Sequence, residues 1–336
     1  MTRYVRVLMV GWGHPSEKVG GLGVYTTELA EAFGGRTVDS ELLLPADVSP
    51  GGTDIIESEP ADSPEERAVN LGERAAEEAE RFDIIHTNDW MGVPAGLRAS
   101  RKGCSWLSVM HSVPGHYPRY ERAAVEAPDT TVCVSELLAS EVGERFGTQP
   151  KVVHNAFNDL GTSDANGGWV DHNKVTVFYA GRHSTEKELK LAIYGFKLYA
   201  KEREAEFVIA GEGWMTPQLE DLVDRLGVTE KVRFTGFLSD GELAHLYRNA
   251  DVFLHPAQNE PFGLSITEAL SSGTPVVAGH SGCLEVGSEG VVRVGARAEE
   301  ISNGIQTAQE KEFDGYRPRT WGDVADDLID YYTQLV

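Results

Sequence analysis

Apolar runs of four to eight residues, rich in Val, Ile and Leu, recur along the chain with stretches of helical period between them. In the first half they are Tyr4 to Val10, Glu41 to Leu44, Asp83 to His86, Trp106 to His111, Thr131 to Ser135 and Lys151 to His154. Strands that are apolar throughout, not only at alternate positions, are buried on both faces, as in a parallel sheet covered by helices on two sides. The pattern lapses over the polar, Gly-rich stretch from Asn158 to Lys174. It restarts with Val175 to Ala180, Phe207 to Ala210, Val232 to Thr235, Val252 to His255, Pro275 to Ala278 and Val291 to Val294. The expected fold class is therefore α/β, with two doubly wound, Rossmann-like domains over 1–160 and 175–320, a linker over 161–174 and a closing helix over 321–336. Val324, Leu328 and Tyr331 are spaced to share one buried face of that helix. Pro45 to Pro64 reads as a loop, and its Glu-rich continuation to Phe82 as a solvated helix.

The length of 336 residues accommodates two such domains without disulfide staples. Charge narrows the partners. Asp plus Glu number 53 against 30 Lys plus Arg, a net −23, which repels nucleic acid and anionic lipid over most of the surface. A phosphate site must then be a local pocket of backbone N–H groups and a few cations. Only ten of the basic residues are Lys, a balance found in an ordinary acidic protein or suited to a salt-rich, halophilic cytosol where screening tames self-repulsion. Cys104, Cys133 and Cys283 lack the paired spacing of a disulfide framework or a zinc site. The apolar stretch Val5 to Val10 is too short for a signal-peptide core or a transmembrane segment. A cytoplasmic protein is expected.

Three segments carry candidate chemistry. The first strand runs into a glycine-rich loop and a helix with Leu22, Tyr25, Leu29 and Phe33 on one side, a geometry that brings backbone amides to an anion or merely connects two elements. It lacks the Gly-x-Gly-x-x-Gly spacing of a dinucleotide site. In the second half, Arg182 follows a strand and Lys187 opens a helix, so the two can clamp a diphosphate or pair with Glu186 or Glu188 at the surface. Beyond the strand ending at His255, Glu260 precedes a helix that begins near Gly263, and Glu268 lies about a turn and a half inside it. The amides of Phe262, Gly263 and Leu264 suit sugar oxygens or phosphate, and the two carboxylates suit hydroxyls of separate rings.

From Gly181 to Glu285 these motifs resemble, in order and spacing, the donor domain of retaining glycosyltransferases of the GT-B fold, family 4 type. The resemblance implies that Glu260 contacts the transferred sugar, that Glu268 holds the ribose and that Arg182 and Lys187 bind the diphosphate. Two departures stand out. Glu188 occupies a position where the family often has Gly, and Ser281-Gly282 replaces a Gly-Gly pair before Glu285. The first half is similar to the glycogen and starch synthases. Lys18-Val19-Gly20-Gly21-Leu22 matches their donor-phosphate loop, which implies Lys18 and Gly21 as donor contacts. His86-Thr87-Asn88-Asp89-Trp90 looks like their His-x-His-Asp-Trp segment, with Asn88 for the second His, and makes His86, Asp89 and Trp90 acceptor-side candidates. His111 ends a strand where those enzymes carry a catalytic-site histidine.

The resemblance implies a hexosyltransferase that takes a nucleotide diphosphate sugar of ADP, UDP or GDP type, glucosyl first among the sugars. The acceptor hydroxyl would belong to a glucan or another glycan. The two domains would face a shared cleft, with no cofactor and no metal, since cations and amides can stabilise the departing diphosphate. His111 and Glu260 would position and polarise the sugar during front-face transfer. A nucleotide-sugar epimerase or a non-catalytic nucleotide-sugar-binding protein of the same fold is the alternative.

Overall fold

The computed structural model describes residues 4–14, 21–113, 115, 117–157, 168–311 and 319–336. The chain divides into two compact units, one of Met1–Ala156 with Arg319–Val336 and one of Phe157–Pro318. Each is built on an all-parallel sheet.

In the first unit the strands are β1 (Val5–Val10), β2 (Val38–Pro45), β3 (Ile55–Ser58), β4 (Ile84–Asn88), β5 (Ser105–Met110), β6 (Thr130–Cys133) and β7 (Lys151–Val152). They lie in the order β3-β2-β1-β4-β5-β6-β7. Helices α1 (Gly21–Ala32), α2 (Pro64–Glu78), α3 (Val93–Ser100), α4 (Pro118–Glu126) and α5 (Glu136–Phe146) connect them. The expected strands are present, and the sheet gains β3 from the segment read as a loop. Only Ile56 and Ser58 of β3 are buried, so an edge strand between Gly51-Gly52 and Pro60 offers no apolar run to read. The Glu-rich stretch is the amphipathic helix α2, capped by Ser63, whose side chain accepts from Glu66 N.

The second unit holds β8 (Val175–Ala180), β9 (Ala205–Ala210), β10 (Val232–Gly236), β11 (Val252–His255), β12 (Val276–Ala278) and β13 (Val291–Arg293) in the order β10-β9-β8-β11-β12-β13. Its helices are α6 (Leu189–Tyr199), α7 (Thr216–Leu226), α8 (Asp240–Asn249), α9 (Leu264–Ser271) and α10 (Ala298–Gln309). Phe178, Phe196, Phe207, Phe253, Tyr179 and Tyr199 fill its interior.

The last helix, α11 (Trp321–Leu335), belongs to the first unit. It buries Trp321, Val324, Leu328 and Tyr332. The buried ring is Tyr332, not the expected Tyr331, because residues 324, 328 and 332 repeat at intervals of four along one helical face. Arg36 clamps the helix through Asp326 at 2.6 Å. Of the expected linker, residues 161–167 lie outside the described residues.

Candidate active site

Strand order reverses between β1 and β4 in the first unit and between β8 and β11 in the second. In open parallel sheets such reversals leave a crevice beyond the carboxyl ends of the strands, where ligands bind. Most of the candidate residues stand at these two places.

In the second unit, β8 delivers Arg182 and the following turn delivers Lys187, while β11 ends in His255 and leads to Glu260. Arg182 is exposed and meets Glu186 at 3.4 Å, a surface pair of little energetic weight. Lys187 does not join it. Its ammonium lies 2.5 Å from Glu260 Oε2, with the two side chains only 18% and 11% exposed. His255 Nε2 stands 3.4 Å from the same oxygen. Burial works to raise the Glu260 pKa, but Lys187, His255 and Arg182 together hold it below the usual value. Burial pushes His255 down to about 4, so at neutral pH its imidazole is uncharged.

The backbone fixes Glu260 as firmly as its partners do. Its N–H donates to the His280 carbonyl and its own carbonyl accepts from Gly282 N, both at 3.0 Å. Gly263 then turns the chain into α9 with φ 96°. A Cβ there would sit 3.2 Å from Glu260 Cγ and 3.0 Å from Ile266 Cδ1, so a side chain would be strained and would crowd the carboxylate. Phe262 is buried and Leu264 opens the helix. Glu268, one face further along α9, accepts from the Tyr247 hydroxyl of α8 at 2.8 Å. Burial raises its pKa to about 7 despite that hydrogen bond.

The first-unit site is built around an uncharged imidazole and a carboxylate held by N–H and O–H donors. His111 follows the last residue of β5. Its Nε2 is 2.9 Å from Asn88 Oδ1, and Tyr25 packs edge-on with ring centroids 4.3 Å apart. Burial lowers the imidazole pKa to about 3. Asp89 is nearly enclosed. One carboxylate oxygen accepts from the His111 N–H at 2.7 Å and the other from the Ser112 hydroxyl at 2.9 Å. Burial raises its pKa to about 6. Trp90 stacks on Tyr117 at 3.8 Å and lies beside Trp12 and Tyr120. His86 is fully buried within β4, its Nδ1 against the Tyr332 hydroxyl, so it braces the sheet against α11 where an acceptor contact was expected. Gly21 opens α1. Lys18 lies outside the described residues.

Residues 19–159 match the family described as Glycosyltransferase Family 4, and residues 166–319 match glycosyl transferases group 1. An uncharacterized glycosyltransferase of Methanocaldococcus jannaschii is 30% identical over 323 residues, covering 83% of this chain and 82% of that protein. The chain belongs to the glycosyltransferases. A glycogen synthase of Mycobacterium tuberculosis is 26% identical over 337 residues, covering 83% of this glycosyltransferase and 79% of its own length. Among solved structures, sucrose-phosphate synthase from Thermosynechococcus elongatus superposes with a TM-score of 0.78 at 20% identity, over 98% of this chain and 99% of that one. An Anabaena protein, HepE, in complex with UDP and glucose, superposes with 0.75 at 18% identity, over 98% and 100%. The fold of this glycosyltransferase is GT-B, two parallel-sheet α/β domains.

The glycosyltransferase thus groups Lys187 with Glu260 and His111 with Asp89, each set within one unit, and keeps Glu268 apart on Tyr247. His255, Tyr247 and Asn88 were not among the candidates. The sequence carried a signal for two of them: His255 is the polar end of the otherwise apolar β11, and Asn88 departs from the His-x-His-Asp-Trp segment.

Proposed function

We propose that this glycosyltransferase moves a hexose, with glucose first among the candidates, from a nucleoside diphosphate sugar to a hydroxyl acceptor with retention of anomeric configuration. A glucan is the acceptor class favoured by the glycogen synthase relative. The bound UDP and glucose of the Anabaena protein favour a UDP-type donor. The observation that carries the reading is the Lys187–Glu260 pair at the strand-order reversal of the second unit. It presents a cation for a diphosphate and a carboxylate for sugar hydroxyls at one point, just ahead of the amides that open α9.

In this reaction the bond between the anomeric carbon and the diphosphate oxygen breaks, and the electron pair leaves with the diphosphate. Lys187, Arg182 and the amides around Gly263 stabilise the charge that develops there, without calling on a metal. The acceptor oxygen forms its bond on the same face, and its proton passes to the departing phosphate oxygen. Glu260 orients the sugar by accepting hydrogen bonds from its hydroxyls, Glu268 accepts from the ribose, and His111 contacts the sugar. Lys18 and Gly21 complete the phosphate contacts. Asp89 and Trp90 shape the acceptor side, Asp89 by fixing the backbone of His111 and Ser112.

The test is incubation with UDP-, ADP- and GDP-glucose, with and without maltooligosaccharide, followed by determination of the product anomer. An α-linked product formed only with acceptor, unaffected by EDTA, is expected. A β-linked product would end the retaining assignment, and isomerisation of the nucleotide sugar without acceptor would make the protein an epimerase.

A further inference from the structure

Asn88, the last residue of β4, is 2% exposed. Its side-chain amide is held from two sides. Nδ2 donates to the Val10 carbonyl at the end of β1, at 2.9 Å, and Oδ1 faces His111 Nε2 at 2.9 Å. A backbone carbonyl can only accept, so the atom facing Val10 must be the amide nitrogen and the atom facing His111 must be the oxygen. An amide oxygen also can only accept. His111 Nε2 therefore carries a proton.

The ring carries one proton at neutral pH, because burial lowers its pKa to about 3 and neighbouring His86 adds to the lowering. With that proton on Nε2, Nδ1 keeps its lone pair. Among the described residues Nδ1 has no hydrogen-bond partner. Tyr25, edge-on to the ring, and Asp89, bonded to the His111 N–H, restrain the turn that would exchange the two nitrogens.

We propose that Asn88 is a positioning residue which, braced by the Val10 carbonyl, locks His111 as its Nε2–H tautomer, so that Nδ1 accepts a hydrogen bond from a sugar hydroxyl of the substrate. His111 then reads a donor group on the sugar and does not donate a proton to a substrate oxygen. The hydroxyl contact rests on the placement of His111 against the sugar made above; the tautomer does not.

The lock is tested on the free, full-length protein by 15N NMR with labelled histidine, the His111 signals being assigned by their loss in His111→Gln. The expected spectrum shows a protonated Nε2 and an unprotonated Nδ1; the opposite tautomer overturns the proposal. In Asn88→Asp a carboxylate still accepts from Nε2. Beside His86 and Tyr25, which face the ring, and Asp89, which bonds the His111 N–H, it is the added charge that raises the imidazole pKa, and the doubly protonated form grows in near neutral pH. A His111 spectrum identical to wild type in that variant overturns the coupling.

The contact is tested with glucosyl donors in which each sugar hydroxyl is replaced in turn by hydrogen or by fluorine, which accepts but cannot donate. At one position both replacements should lower kcat about tenfold, the worth of one net hydrogen bond, and the same replacements should cost little in His111→Ala, which has no acceptor there. If fluorine is tolerated there and hydrogen is not, His111 donates and the proposal falls. If no hydroxyl depends on His111 while the NMR tautomer is as expected, the lock stands and the placement of His111 against the sugar fails.

Discussion

Asp89 and Glu188 are the non-glycine residues of positive φ among the described residues, and each adjoins a candidate residue of its own unit. Asp89, at φ 49° and ψ −163°, lies in a region nearly reserved for glycine and costs about 1–3 kcal/mol. Glu188, at φ 55° and ψ 28°, lies in the ordinary left-handed basin, about 1 kcal/mol above the right-handed one. The Asp89 carboxylate offsets its cost through the bonds to His111 and Ser112. The Glu188 side chain is exposed and makes no capping bond. In the first unit the side chain is what the strained backbone serves. In the second the backbone path itself matters, since it carries Lys187 toward Glu260 and starts α6. The sites differ in kind as well: uncharged rings, an amide and a carboxylate held by N–H and O–H donors in one, an ion pair in the other.

Removing His111 tests the first-unit site with the largest expected effect. His111→Ala should lower transfer by about a hundredfold if its contact strengthens in the transition state and its loss leaves a buried sugar hydroxyl unpaired, while calorimetry finds near-native binding of the free nucleoside diphosphate. Parallel losses of melting temperature, binding and transfer would make it a structural histidine.

Lys187→Ala probes the ionic site and should lower turnover by more than about tenfold. It also leaves Glu260 buried without its principal cation. In the wild type, the depressed pKa of this carboxylate adds stability above the normal carboxylate range, lost as pH falls through the lowered value. In the variant burial dominates, so the pKa rises and stability falls as pH rises through it. Melting curves across pH would show the reversal, and unchanged steady-state rates would dismiss the clamp.

Glu268 links the two kinds of site, a carboxylate that burial brings to about 7. As the ribose acceptor it must be ionised, so nucleoside affinity should rise several-fold between about pH 6 and 8 as the proton leaves. The increase should vanish in Glu268→Gln; a similar slope in that variant would assign the effect elsewhere.

The smallest effect compares the two strained residues directly. Glu188→Gly should raise stability by about 1 kcal/mol in urea unfolding, whereas Asp89→Gly relieves more strain but should lower stability, because it leaves the N–H groups of His111 and Ser112 without their acceptor. Stabilisation by both changes would show that the carboxylate bonds of Asp89 contribute little.

Continuous apolar runs made both sheets legible, because burial on two faces makes most positions of a central strand apolar. They missed β3, which sits at an edge with little to bury. The Lys187–Glu260 meeting was partly legible, as both residues follow strand ends. Which partner Lys187 takes was not: Glu186 and Glu188 are its neighbours in sequence, but the turn through Glu188 points the ammonium to a carboxylate 73 positions away. His86 looked like a site residue because its motif did, and only the enclosure of β4 under α11 shows otherwise. Asn88 was visible as a departure from a motif. Its two-sided hydrogen bonding requires β1, β4 and β5 to be side by side.

The return of α11 has a consequence for biosynthesis. The first unit lacks Trp321, Val324, Leu328 and Tyr332 until the entire second unit has left the ribosome. His86 and Tyr25 meanwhile lack the aromatic cover that Tyr332 and Trp321 give them. The second unit, contiguous in the chain, can complete its core first, and the nascent first unit must wait with an apolar face open to chaperones or to misassembly.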